Sequence, residues 1–252
     1  MKIFRVSFSI LFLVCSAIGF AQQDSISELI TDRPDATESP VLIPKNFFQL
    51  EAGSQITNGD LQKDFTFGTA LLRVGVLNNL ELRLGLDYSG SRFNNGLIED
   101  INSFSPILLG VKVGIAKEQG LRPEMAILSH LSLPYLSSEN TNSGIDFRFA
   151  FSHTLSERSG LSYNLGALWN GVNEGLQYIY TISYGYSITN NLGWYGEIYG
   201  DIPENIRAIH YVDSGFTYKL ATNFQLDAYI GTAINNDPNL IAGGGFSYRI
   251  PK

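Results

Sequence analysis

Period two dominates this chain. From Asn46 onward, runs of ten to fourteen residues alternate apolar with small or polar side chains, and each run ends in a short turn. Successive side chains on an extended backbone point to opposite faces, so such runs make strands with one apolar and one polar face. Twelve strands are expected, near 46–57, 64–76, 79–90, 103–116, 123–134, 144–156, 161–170, 175–188, 191–201, 207–220, 223–234 and 239–250. Between them stand clusters such as Asn58-Gly59-Asp60, Asn78-Asn79, Asn170-Gly171, Asn190-Asn191 and Asn235-Asn236-Asp237-Pro238. These residue types favour positive-φ turns and break strands. No stretch of this region keeps an apolar 3.6-residue period long enough for a helix.

The composition of the two faces separates lipid from water. In 144–156, Phe147, Phe149 and Phe151 oppose Asp146, Arg148, Ala150 and Ser152; in 79–90, Leu82, Leu84 and Leu86 oppose Glu81, Arg83, Gly85 and Asp87. A soluble sandwich has the same period, but its strands run about 5–6 residues and its wet face carries many charges. Here the strands have the tilted membrane-spanning length, and the polar face mixes glycine and serine with single charges. Charged residues make up 16% of the chain, against about 25% in ordinary soluble domains. The expected fold is therefore all-β: a single up-and-down antiparallel transmembrane β-barrel of about twelve strands in a bacterial outer membrane. Its partners are then outer-membrane lipid and the barrel-insertion machinery. The closing run Gly245-Phe246-Ser247-Tyr248-Arg249-Ile250 resembles the terminal strand which that machinery reads.

The amino terminus reads differently. Lys2 and Arg5 precede an apolar run from Val6 to Phe20, and Gly19-Phe20-Ala21 resembles a cleavage site. A signal peptide over 1–21 is expected, followed by a periplasmic segment over 22–45 and the barrel over 46–252. A lipoprotein signal ending at Cys15 is the weaker alternative, because Val14 stands where a small residue is needed. The net charge of −7 argues against nucleic acid. One cysteine and three histidines cannot build a Cys/His zinc site, and no cofactor fingerprint occurs.

The run Thr31-Asp32-Arg33-Pro34-Asp35-Ala36-Thr37-Glu38-Ser39-Pro40, followed by Pro44 to Gly53, resembles the opening of a known family. The likeness continues through Leu72-Arg73-Val74-Gly75, Glu81 to Gly85, Asp213 to Tyr218, Asn223 to Asp227 and Gly245 to Arg249. The family is that of outer-membrane barrels labelled phenol-degradation meta-pathway proteins, regarded as transporters. The resemblance implies a barrel that handles aromatic compounds; fold transfers better than substrate.

Two groups of residues are candidates for function. Asp32, Arg33, Pro34 and Asp35 form a compact acid–base–acid group on a proline-stiffened stretch, read either as a plug entering the lumen or as a free leader. Arg73, Glu81, Arg83, Asp87, Lys112, Glu124, Asp146, Arg148, Glu197, Asp213, Lys219, Asp227 and Arg249 fall on non-aromatic faces. Facing lipid each would be costly, so a lumen lining is expected, either as a structural network or as a selectivity filter. No catalytic group is expected. Ser129 and Ser152 adjoin histidines, but neighbouring strand residues point apart, which leaves a hydrolase without a Ser–His pair. The expected function is passive transport of small hydrophobic or aromatic compounds without a cofactor; a structural or adhesion barrel is the alternative.

Overall fold

A computed structural model describes residues 28–60, 62–93, 101–137, 142–171, 175–235 and 240–250. The expected signal peptide over 1–21 lies outside them. The strands are β1 (Phe48–Asn58), β2 (Gln62–Leu77), β3 (Leu80–Phe93), β4 (Ile101–Phe104), β5 (Ile107–Ala116), β6 (Glu124–Leu133) and β7 (Gly144–Ser156). They continue as β8 (Ser159–Trp169), β9 (Gln177–Ser187), β10 (Leu192–Pro203), β11 (Ile209–Ala221), β12 (Phe224–Ala233) and β13 (Leu240–Ile250). No helix occurs among the described residues.

The sheet is antiparallel throughout and closed. β1 pairs with β13 from Phe48↔Ile250 to Asn58↔Leu240, and with β2 on its other side. Both β4 and β5 pair with β3, at Tyr88↔Phe104 and Gly85↔Leu108, and so form one stave. The barrel therefore has twelve staves. The sequence reads 103–116 as one unbroken strand; the break falls at Ser105-Pro106, where proline has no N–H to give the ladder.

The burial pattern inverts that of a soluble sheet. On β3, Glu81 and Arg83 are 0% and 3% exposed, whereas Leu82 and Leu84, which alternate with them, are 47% and 46% exposed. β7 repeats this, with Asp146 and Ala150 buried and Phe147 and Phe149 open. Exposed apolar side chains continue around the wall through Ile182, Ile198, Phe216 and Ile230. An apolar belt of this extent requires an apolar solvent. A strand of ten residues tilted by about 40° covers roughly 25 Å of membrane normal, the height of the bilayer's hydrophobic band. The chain is an outer-membrane β-barrel.

This facing has a direct consequence. Phe149→Arg places a cation at mid-depth in lipid and is expected to cost about 2–4 kcal/mol, whereas Phe149→Leu keeps most of the stability. Urea titration of the protein folded in vesicles measures both; equal midpoints would mean that Phe149 does not face lipid.

Candidate lumen site

Residues 28–45 run inside the barrel and border the interior faces of most staves. The connection into β1 turns at Asn46, which has a φ of 67° in the left-handed region. Its N–H donates to the Gly75 carbonyl at 2.7 Å, and the Gly75 N–H donates to the Phe47 carbonyl at 3.1 Å. Inside the lumen the segment has no ladder partner, so its backbone groups must be satisfied by wall side chains. The Ile43 N–H donates to Glu81 Oε2 at 2.8 Å, and Lys112 Nζ donates to the Ser39 carbonyl at 2.7 Å. Asn164 on β8 accepts from the Glu38 N–H at 2.7 Å and donates to the Glu38 carbonyl at 2.9 Å. Glu197 on β10 accepts from the Ala36 N–H at 2.7 Å and from the Thr37 hydroxyl.

Asp32 is the hub of the ionic contacts. Its carboxylate lies 3.0 Å from Arg73, 3.0 Å from Arg83 and 2.9 Å from Lys112. Arg73 also meets Glu51 and Glu81, each at 2.8 Å, and Arg83 meets Glu38 at 2.9 Å. Burial alone would push the Asp32 carboxyl upward; Arg73, Lys112 and Arg83 overcome it and hold the group well below the ordinary carboxylate range. A buried cluster of this kind fixes geometry more than it adds stability, because each charge gives up its hydration.

Arg33 faces the neighbouring part of the wall, on β1, β13 and β12. It grips Asp227 on β12 through Nε–Oδ2 at 3.2 Å and Nη2–Oδ1 at 2.9 Å, the two-pronged geometry that fixes a guanidinium plane. The guanidinium passes over Gly53 and Gly245, and a Cβ built on Gly245 would lie 2.6 Å from Arg33 Nη2. The same Cβ would lie 2.2 Å from the Ala52 carbonyl oxygen on the paired strand, so backbone and guanidinium together require glycine there. Asp35 turns toward Glu197 on β10 and Ser183 on β9, with Asp213 on β11 beyond. Its carboxyl is pushed well above the ordinary range by burial first and by the Glu197 charge second.

The remaining candidates divide by height. Asp146 accepts the His130 backbone N–H at 2.9 Å and holds His130 Nδ1 at 2.8 Å. Arg148 Nε lies 3.5 Å from Asp146, and Asp87 stands on the inner face of β3 nearby. Glu124 and Lys219 belong to the rim: Glu124 pairs with exposed Lys117 at 2.6 Å, and Lys219 pairs with Glu28. Arg249 meets Gln49 at 3.0 Å and the Glu28 carbonyl at 3.2 Å. His153 and His210 contact the hydroxyls of Tyr163 and Tyr180. Five further contact residues, Gln49, Glu51, Asn164, Thr181 and Ser183, are absent from the sequence-derived set although the same alternation places them inward.

Two cavities flank the segment. One, of about 460 Å³, opens toward Ser105, Ser132 and Asn170; the other, of about 440 Å³, opens toward the short turn at Glu157 and Arg158. Arg33 lines both. A family profile with the description "Putative MetA-pathway of phenol degradation" matches residues 31–250. The chain belongs to this family. The matched span of the phenol-degradation family begins at the Thr31 run and ends with β13, so it takes in the lumen segment from Thr31 as well as the wall. No curated protein sequence matches the chain. Among solved structures, an outer membrane channel from Pseudomonas putida F1 is similar with a TM-score of 0.69 at 11% identity, covering 91% of this chain and all of that one. The CymD monoaromatic hydrocarbon channel has a TM-score of 0.52 at 9% identity, covering 82% of this chain and 90% of that one. The KdgM porin in complex with disordered oligogalacturonate has a TM-score of 0.53 at 10% identity, covering 79% of this chain and 98% of that one. At these identities the likeness is one of fold.

Proposed function

We propose that this member of the phenol-degradation family is a passive channel for small hydrophobic or aromatic compounds, with residues 28–45 as its internal constriction. The observation that carries the reading is the pair of lumen cavities on either side of the segment, with Arg33 lining both. A solid structural barrel needs neither cavity. The family description and the resemblance to a monoaromatic hydrocarbon channel favour an aromatic solute. Nothing in this reading calls for a catalytic group: among the described residues the bond partners of the histidine rings are Asp146, Tyr163 and Tyr180, with no serine among them.

Whole cells test it better than phospholipid vesicles, which hydrocarbons cross unaided. Cells carrying the protein are expected to accumulate a radiolabelled monoaromatic faster at low external concentration than cells lacking it, with no change for a sugar of similar size. Equal accumulation rates for the aromatic in both strains would defeat the channel reading.

A further inference from the structure

The larger cavity contains two ionic side chains that the ionic network leaves over. Of the charges lining it, Asp32, Arg83, Glu38 and Glu51 are tied into the cluster around Asp32, and Arg33 is tied to Asp227. Arg148 makes one contact, Nε to Asp146 at 3.5 Å, and its two terminal nitrogens have no partner among the described residues. Asp146 is already engaged by His130 through the other oxygen, so it anchors the base of the Arg148 fork and leaves the tips open. The Asp87 carboxylate likewise has no hydrogen bond or ion pair among the described residues and lines the same space.

Beside Thr69, Ser105, His130, Ser132 and Asn170, part of the cavity wall is apolar where the polar face of the strands should be. Leu71, Leu108 and Leu168 take inward positions, and Gly85 lies between the first two: a Cβ built there would be 3.2 Å from Leu108 Cβ and 3.7 Å from Leu71 Cδ1. These inward leucines reach no bilayer, so their role is to face something inside. A volume of about 460 Å³ falls in the range of small-molecule sites, which combine an apolar wall with a few placed polar groups. Three interstrand spacings separate β3 from β7, about 14 Å along the wall, so Asp87 and Arg148 approach the space from two sides.

We infer that this cavity is a binding site for a small aromatic carboxylate, its ring against Leu71, Leu108 and Leu168 and its carboxylate on the open fork of Arg148. Asp87 then receives a hydroxyl from the far side of the ring. A guanidinium fork matches a carboxylate in two parallel bonds, a recognition that a neutral hydrocarbon cannot use. The inference rests on the channel reading only for the route by which the solute arrives.

The test is direct binding to the full-length protein folded in detergent, followed by fluorine NMR and calorimetry. The probes are 4-fluorobenzoate, fluorobenzene and acetate, with 4-hydroxybenzoate against benzoate for the second contact. 4-Fluorobenzoate is expected to bind at least tenfold tighter than fluorobenzene or acetate. Arg148→Gln should weaken 4-fluorobenzoate about tenfold or more and leave fluorobenzene unchanged. Asp87→Asn should remove the advantage of 4-hydroxybenzoate over benzoate. Retained heat-modifiable migration on gels certifies that each variant is folded. Equal binding of acetate and 4-fluorobenzoate would reduce the site to an anion contact and overturn the inference. Equal binding of fluorobenzene and 4-fluorobenzoate, unmoved by Arg148→Gln, would overturn it while leaving the channel reading intact. Failure of the channel reading shows separately, in the whole-cell accumulation rates.

Discussion

Deleting residues 22–40 should raise single-channel conductance in planar bilayers severalfold. Twelve staves spaced about 4.8 Å apart and tilted by about 40° enclose a backbone cylinder with a radius on the order of 12 Å, leaving a lumen of several ångströms inside the side chains. In the intact protein the segment fills the middle of that lumen, joined to the β2, β3 and β5 walls through Asp32 and to β12 through Arg33. Removing it joins the cavities of about 460 and 440 Å³ into one water path. The three cations that met Asp32 are then hydrated instead of stranded, and Glu51 and Glu81 still pair with Arg73, so the wall should remain folded. Arg33→Ala removes only the side chain that lines both cavities and should give part of the same increase. Heat-modifiable migration on gels checks that both variants are closed barrels. Unchanged conductance in the deletion would show that the segment is not the constriction, and the channel reading would lose its gating element.

The wall was legible in the sequence because a barrel leaves no freedom in its facing. Glu81, Arg83 and Lys112 could be assigned to the lumen from period two alone, since the alternative was an ion in lipid. β7 agrees with expectation at both ends, Gly144 and Ser156, where glycine and a turn bound a long aromatic alternation. The interruption at Ser105-Pro106 was less legible, because proline can end a strand or merely bulge one, and only the pairing of β4 with β3 separates the two. Leu71, Leu108 and Leu168 blur the alternation for a physical reason: they are apolar on the inner face, where the sequence pattern predicts polar side chains. The partners of Asp32 were legible only in part: Arg73 and Arg83 stand out as inward cations within its reach, but Lys112 does not, and the choice among the inward cations cannot be made from the sequence. Arg73, Arg83 and Lys112 lie on three different staves, and which of them meets one carboxylate depends on stagger around the barrel, a quantity that local pattern does not carry. Glu51 and Asn164 were in reach of the same alternation, but their neighbours in sequence gave no reason to single them out.

Asp32 and Asp35 should have opposite effects on the segment, although they are three residues apart in the same run. Asp32 is held below the ordinary carboxylate range when docked, so its contribution is complete above about pH 4 and is lost only as the pH falls further. Asp32→Ala removes the one carboxylate that Arg73, Arg83 and Lys112 share; breaking a buried ionic network by removing one partner costs about 3–5 kcal/mol, or roughly a factor of 10² to 10⁴ in the docked-to-free ratio. The variant's conductance should approach that of the deletion. Asp35 has the reverse sign. Its carboxyl is raised on docking, by burial and then by Glu197, so protonation favours the docked state and this contribution is lost as the pH rises above the ordinary range. The groups facing it are Ser183 on β9, Tyr195 and Glu197 on β10, Asp213 on β11 and Asp32 in the segment itself; this set offers it no cation. Between pH 5 and pH 9 Asp32 stays ionised in both states, so in the segment's own group the direction of the response is set by Asp35. The native channel should pass more current toward alkaline pH, and Asp35→Asn, which mimics the protonated form, should hold the current low and flatten that slope. An Asp35→Asn channel with the native pH slope would mean that the response comes from the wall carboxylates Glu197 and Asp213 and not from the segment.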